Sequence, residues 1–567
     1  MIAGWKARFQ ALSGTGSRAP FYCRTLLSSV LFLIIPLLFV VAVSQLTNAK
    51  GPQWLPYTFE NPYIYLFNSL LVVDGRTPAY VDHPGTTTEM FGGIILRMSS
   101  LKPSEDLISS ALHHPETEIK RLHWALLLFS ALILWIVPWQ TALAIRSHVA
   151  GLLIQAPSFF CKTLLFNGIQ FGSDLMVVPF SIAAVCCCLL LLVPSSVPEK
   201  LEFLFGVRIV LPTLNSPQIH RLPVLLVPAL TGLVCAFGIV TKLTFFPLIL
   251  IALLCCRSRK ILVAFTISFF FALAFVLLPI YPQLGRLMKW GFDLTVHSGR
   301  YSTGNIGVPQ SSVYLSSLSN LIKTEPLILI IPVVATFVLL AFSLLPKKQP
   351  APIEISRITV LALFAIQVFS LCAIAKEVAP HYLIPLFIST GLNLVFLLQA
   401  CRNVNESKLK KTAGCIALIS LLAVGAKGFV EETPKIYSDL RKQGVELLRL
   451  YSHAQEVTKN DVRVDYFFSD SPLFPLCHGN NYAGGAFSQR LASMYPNALF
   501  FDVFNSKFET FTAFINPEEE LQRYDHLYFL GSRKLFPKVK GLDPDTFETI
   551  DQAGDYYLQK WTRKAGP

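Results

Sequence analysis

Charge is what this 567-residue chain has least of: Asp, Glu, Lys and Arg make up 15% of it, against 53% for hydrophobic residues. Taken with a mean hydropathy of +0.52, this excludes an ordinary soluble enzyme, whose charged share is about a quarter, and describes a polytopic membrane protein. Acidic residues are the scarcer sign, 35 against 48 Lys plus Arg. The resulting net charge of +13 does not point to nucleic acid, because basic residues gathered in short segments between apolar runs are what membrane orientation alone produces. Paired cysteine spacing is missing as well. Most of the 12 cysteines, Cys186-Cys187-Cys188 among them, lie in or beside apolar runs, and Cys477 alone is clearly in a polar segment, so neither a disulfide framework nor a zinc site is implied. The first apolar run, Leu26 to Leu46, is followed by no small-residue cleavage site and is long enough to cross a bilayer, so it reads as a signal anchor.

What is there is a series of about eleven apolar runs bounded by polar turns, near 26–46, 122–145, 149–165, 174–193, 223–241, 243–256, 260–281, 326–345, 357–375, 383–400 and 412–428. With the amino terminus inside, every inside segment is basic: Lys6, Arg8, Arg18 and Arg24; Arg146; Lys200, Arg208 and Arg221; Arg257, Arg259 and Lys260; Lys347 and Lys348; Arg402, Lys408, Lys410 and Lys411. The polar residues least explicable as loop filler then all fall on the opposite face: Glu60, Asp82, His83, Lys242, His297, Lys376 and His381. A transport pathway would scatter ionisable groups along both half-channels and near the midplane. The sequence shows no inverted repeat and no ionisable pair at mid-span, and a one-sided cluster favours chemistry at one interface.

The loop after the first run carries most of this signal. Asn61-Pro62 is a helix start, and Tyr63, Leu66, Phe67, Leu70 and Leu71 fall at helical spacing, predicting an interfacial helix over 62–73 with Glu60 just outside its amino end. Asp74-Gly75 ends that helix. Thr86-x-x-Glu89 has the form of a capping box and predicts a second helix over about 87–98, with Asp82, His83 and Gly85 just before it. Two converging helix starts would keep nearby carboxylates ionised and cradle a phosphate.

Each of these residues also has a plainer reading. Glu60 is a favourable neighbour of a helix dipole, Asp82-His83 an ordinary solvated pair, Lys242 a snorkelling lysine at a span end, and His297 and His381 loop and turn histidines. His113-His114-Pro115-Glu116 looks like a metal cluster only superficially, since adjacent histidines before proline give no one-face ligand geometry. After residue 430 the chain changes character. A helical stretch at 433–456 is followed by strand-like Val462–Phe468, Ala498–Val503 and His526–Leu530, with helical patterns at 486–494 and 516–523 between them. This predicts a small three-layer α/β domain on a short parallel sheet. It has no phosphate loop, and Asp470-Ser471-Pro472 and His478-Gly479-Asn480-Asn481 are either inert turns or acceptor-facing segments.

In order along the chain, Glu60-Asn61-Pro62-Tyr63-Ile64, Asp74-Gly75, Asp82-His83-Pro84-Gly85, Thr241-Lys242-Leu243-Thr244, His297-Ser298-Gly299 and Lys376 through His381-Tyr382-Leu383-Ile384-Pro385 resemble the GT-C-fold glycosyltransferases. The resemblance is to the branch of protein O-mannosyltransferases and bacterial polyprenyl-phosphate-sugar-dependent enzymes (glycosyltransferase family 39-like), and covers roughly residues 20–400. The branch usually begins the first motif with aspartate, often followed by a second acid, where this chain has Glu60 and Asn61.

The resemblance implies an α-helical polytopic membrane protein of GT-C type. A cytoplasmic basic tail would span 1–25, a transmembrane module 26–428 with its outer loop at 47–121, and an extracytoplasmic α/β domain 429–567. It implies transfer of a sugar from a polyprenyl-phosphate donor to an acceptor hydroxyl on a glycan, lipid or protein, with inversion. Glu60 would be the general base and Asp82 and His83 would orient substrate, while Lys242, His297, Lys376, His381 and Tyr382 would bind the lipid phosphate. No metal site is assigned, and a divalent ion, Mg or Mn, stays open because the second acid is missing. The alternatives are a transporter or flippase of a lipid-linked sugar and a non-catalytic polyprenyl-lipid-binding relative. The lack of paired ectodomain cysteines favours a bacterial inner membrane over the endoplasmic reticulum.

Overall fold

A computed structural model describes residues 19–55, 62–82, 85–100, 102–192, 222–299, 303–307, 309–343, 356–377, 379–403, 408–466, 471–503, 505–535, 542 and 547–563. The helices of the first part are α1 (Ala19–Lys50), α2 (Pro62–Val73), α3 (Thr86–Ser99), α4 (Ser104–His113), α5 (Pro115–Ala144), α6 (His148–Phe160), α7 (Lys162–Asn167), α8 (Ser173–Leu191) and α9 (Leu222–Thr241). They are followed by α10 (Phe246–Cys255), α11 (Arg259–Leu277), α12 (Leu284–Val296), α13 (Ser311–Thr324), α14 (Leu327–Ser343), α15 (Arg357–Ala375), α16 (Ile384–Asn403) and α17 (Lys408–Val457). Over their described residues the apolar runs of the sequence are almost entirely helical. Among the described residues seven helices are long and apolar enough to cross a membrane, or eight if α13 and α14, bent by 81°, form one broken span. The four shorter apolar helices include His148–Phe160 and Leu243–Cys255, the two runs that are short and broken by proline in the sequence. This is an integral membrane protein. Side chains such as Phe271 on α11 and Phe337 on α14, 77% and 75% exposed, fit lipid contact rather than water.

The chain then leaves the bundle along α17, a 50-residue helix that passes residue 429 without a break. It enters a mixed sheet made of β1 (Arg463–Tyr466), β2 (Leu499–Asp502), β3 (Lys507–Glu509), β4 (Phe514–Ile515), β5 (His526–Ser532), β6 (Glu548–Ala553) and β7 (Tyr556–Thr562). The short helices α18 (Leu473–Tyr482), α19 (Ser488–Met494) and α20 (Pro517–Leu521) lie between the strands. The order is β4-β3-β2-β1-β5-β7-β6. β1 is parallel to β2 and β5, with Val464 opposite Leu499 and Phe529. The remaining pairs are antiparallel. The expected parallel sheet is therefore only its centre. The hairpins β3–β4 and β6–β7 extend it, because Thr510 to Ala513 and the Gly554 turn reverse the chain over too few residues for a crossover.

Helix α2 spans the predicted residues at the end of the bundle, but it is covered on every side and not on one face: only Val72 among its residues is incompletely buried. Its outer cover is α18, a helix not anticipated as regular structure from the sequence. Gly479 of α18 sits where an added Cβ would lie 2.9 Å from the Tyr63 carbonyl oxygen and 3.0 Å from its carbon. Asn68 of α2 donates to the Tyr482 carbonyl at 3.4 Å. The C-terminal domain is thus packed onto the first loop. Because the obstructing atoms at Gly479 are backbone, Gly479→Ala is expected to lower stability by about 1–3 kcal/mol, read by thermal unfolding of the purified protein. An unchanged midpoint would show that α18 does not press on α2.

Candidate functional site

The first loop is pinned at its start by Glu116, the second residue of α5. Its carboxylate accepts from the backbone N–H of Gln53 at 2.8 Å and of Trp54 at 2.9 Å, and from the Tyr63 hydroxyl at 2.8 Å. The His113-His114-Pro115-Glu116 cluster thus contributes an anchor. Among the described residues no group of His, Cys, Asp or Glu has metal-site geometry. Glu60, Asn61 and His83 lie outside the described residues, as does Asp470.

The loop is fixed a second time where α3 begins. Its N-cap is Gly85, at φ 55°, and not Thr86. The capping-box expectation fails because the Glu89 carboxylate does not reach back: its own N–H bonds the Gly85 carbonyl at 3.1 Å, while both side-chain oxygens are buried with no partner among the described residues. Burial pushes that carboxyl well above the usual carboxylate range. Gly85 N–H instead donates to the Thr241 carbonyl at 3.2 Å. Thr87 and Thr241 share a hydroxyl–hydroxyl bond of 2.5 Å. Since the Thr241 hydroxyl itself donates to the Phe237 carbonyl, Thr87 is the donor of that bond.

Docking on Thr241 brings the loop beside Lys242, at the turn between α9 and α10. Lys242 is 1% exposed. Its ammonium lies 2.6 Å from Asp174 Oδ1, at the first turn of α8, and 4.9 Å from the centre of the Tyr382 ring. Tyr382 belongs to a 3-10 turn, Pro380–Leu383, and its ring meets that of His381 at 4.3 Å. The plain snorkelling reading of Lys242 does not hold, because the side chain turns into the protein. Asp174 was missed in the sequence. Its only signal is an acid at the opening edge of an apolar run, and nothing local marks a lysine 68 residues on as its partner.

Other candidates are tied together nearby. Asp82 accepts from Arg286 at 2.8 Å, and Arg286 also donates to the Ala79 carbonyl at 3.1 Å. Arg286 lies near the start of α12, a helix in what reads from the sequence as irregular loop. Near its other end the Leu294 carbonyl accepts a hydrogen bond from Lys376. His297 follows α12 and forms an isolated bridge with Ile306. Two chains of contacts result: one runs from Asp82 through Arg286 and α12 to Lys376, the other from His381 and Tyr382 through Lys242 to Thr241 and Gly85. Arg286 and Leu294 are about 12 Å apart along α12, and His297 lies three residues past Leu294. Lys242 has its charge compensated by Asp174. Lys376 hydrogen-bonds a neutral carbonyl and makes no ion pair among the described residues.

No family model and no curated protein matches this chain. Among solved structures it is similar to "ArnT from Cupriavidus metallidurans bound to Undecaprenyl phosphate", at 12% sequence identity and a TM-score of 0.46. The alignment covers 94% of this chain and 99% of that one.

Removing one member of a buried ion pair exposes the other's desolvation cost. Lys242→Met is therefore expected to destabilise by about 3–5 kcal/mol, and Lys242→Met combined with Asp174→Leu to recover most of the loss. Thermal unfolding of the four proteins measures this, and additive losses would show no coupling. At Glu89 the sign runs the other way from an ion-paired acid. The folded protein holds the proton more tightly than the unfolded chain, so this residue favours folding below the unfolded value of about 4.3 and loses that contribution as pH rises toward its raised folded pKa. Glu89→Gln is expected to flatten the fall of the unfolding temperature with rising pH. A slope equal to that of the unmodified protein would mean Glu89 is ionised in the fold.

Proposed function

We propose that this protein is a membrane glycosyltransferase of GT-C type that moves a sugar from a polyprenyl-phosphate donor to an acceptor hydroxyl at the end of the bundle bearing the C-terminal domain. The observation that carries the reading is the buried Lys242–Asp174 pair, with the Tyr382 ring over it and Thr241 tying the first loop beside it, at the end of an otherwise apolar bundle. That placement serves a substrate with a polyprenyl tail among the spans and a charged head at their ends. The order of Glu60, Asp82-His83, Lys242, His297 and Lys376 through His381-Tyr382 along the chain supports it.

In this mechanism Glu60 takes the proton from the acceptor hydroxyl, whose oxygen attacks the anomeric carbon. The bond from that carbon to the phosphate oxygen breaks, the configuration inverts, and polyprenyl phosphate leaves as an anion without a separate acid. Asp82 and His83 orient the hydroxyl-bearing partner. The Lys242–Asp174 pair is neutral as a unit, so Lys242 contributes fixed donors and a rigid turn more than net charge. Lys376, with His381 five residues on and His297 three residues past its partner Leu294, supplies the positive charge that stabilises the leaving phosphate. Asp174 provides a buried carboxylate in a site where Asn61 replaces the second acid of the first motif.

Membranes containing the protein, supplied with radiolabelled polyprenyl-phosphate sugar, are expected to move label from the lipid to an acceptor. Label that only changes leaflet would overturn transfer in favour of a carrier. Glu60→Gln is expected to lower transfer by at least about a hundredfold with membrane insertion intact, and full activity in that variant would remove Glu60 as the base.

A further inference from the structure

The C-terminal domain contributes side chains to the same end of the bundle, and they have a chemistry of their own. The segment Ala79–Asp82 is held from beneath by Asn68, whose Oδ1 accepts from Ala79 N–H at 2.8 Å and Tyr80 N–H at 3.0 Å. It is held from the side by Arg286. Over it lies the end of α18. The Tyr482 ring meets Tyr80 edge-on at 5.2 Å and lies 4.9 Å from the His478 ring. Helix α18 is set over β2 and β3 by Phe474 against Phe500, ring centres 6.3 Å apart, and by Asn481 donating to Glu509 at 2.7 Å. Asp502 ends β2, its carboxylate also accepting from the Asn505 N–H at 3.1 Å and side-chain amide at 2.6 Å, and burial together with the Asp82 and Asp502 carboxylates raises the Tyr482 hydroxyl above its usual pKa. Tyr482 is half-buried, and the Asp82 and Arg286 side chains are 30% and 49% exposed. Tyr80 and Asn68 are buried beneath, while Tyr482, Asp82 and Arg286 reach solvent.

Two features decide what such a junction can recognise. Its backbone groups are already used internally: Asn68 takes the loop N–H groups, Arg286 the Ala79 carbonyl, and Asn68 donates to the Tyr482 carbonyl. No ladder of main-chain donors is offered to an extended peptide. What faces the solvent is aromatic surface flanked by carboxylates and one guanidinium, which suits a ligand with apolar C–H faces and many hydroxyl groups.

From this placement we infer that Tyr482 and Asp502 of the C-terminal domain, together with Asp82 and Arg286, form the acceptor-selecting wall of the site and that the acceptor is a saccharide. Tyr482 stacks on a sugar ring while Asp502 and Asp82 accept from its hydroxyls. This rests on the glycosyltransferase reading above and names its acceptor class.

The test uses the full-length protein in nanodiscs. One arm presents an array of labelled oligosaccharides beside Ser/Thr-rich peptides, and the other measures binding of radiolabelled undecaprenyl phosphate. The protein is expected to retain a saccharide. Tyr482→Ala and Asp502→Asn are expected to weaken that binding about tenfold, the scale of one lost contact, with Tyr482→Phe keeping most of it and undecaprenyl phosphate binding unchanged in all three. Asp502→Asn is nearly isosteric and guards against a folding defect at Tyr482. Retention of peptide but no saccharide, no retention at all, or saccharide binding by the Tyr482→Ala and Asp502→Asn variants equal to that of the unmodified protein overturns the inference. Tyr482-dependent saccharide binding in a protein that transfers no sugar from lipid would leave this wall standing and remove the transferase reading.

Discussion

The buried pair between Lys242 and Asp174 is the constraint around which the polar end of this bundle is arranged. Two ions taken out of water cost several kcal/mol each unless they meet at close range, so the ends of α8 and α9 must arrive within 2.6 Å of each other at their side chains. Once that turn is fixed, Thr241 presents a carbonyl and a hydroxyl to the first loop, and Gly85 and Thr87 take both. The Tyr382 ring completes the enclosure. The first loop is thereby tied to the turn that carries this buried pair.

The C-terminal domain acts on the same loop from outside. Glu116 holds its beginning, Asn68 its middle, and α18 lies across α2 with Gly479 against the Tyr63 carbonyl. The domain is continuous with the bundle through α17 and braced there by Arg449 and His453, which both bond Asp551 of β6. The sheet is therefore fixed to the bundle, and Tyr482 of α18 lies against Tyr80, two residues from Asp82.

Much of this was legible along the chain, for local reasons. Helix α2 starts at Pro62 and ends at Val73, where Asn61-Pro62 and Asp74-Gly75 mark its limits; β1 and β2 fall within the strand-like segments, and β5 starts with its segment at His526 and runs two residues past it to Ser532. What was illegible depends on distant partners. Thr86-x-x-Glu89 spells a capping box, yet packing against Thr241 moves the cap to Gly85 and buries the Glu89 carboxylate. Residues 284–296 read as loop because their apolar residues are spaced by Lys, Arg and Asp, and α12 forms between Arg286 bonded to Asp82 and Leu294 bonded to Lys376.

The sequence by itself determined that the protein is a helical membrane protein and where its apolar helices run, since run length and periodicity are properties of neighbouring positions. Only the tertiary structure decided that Lys242 is neutralised by Asp174, that Glu116 is an anchor, and that Asp82 shares its surroundings with Tyr482. Each of these depends on a distance across tens to hundreds of residues, which no local pattern encodes.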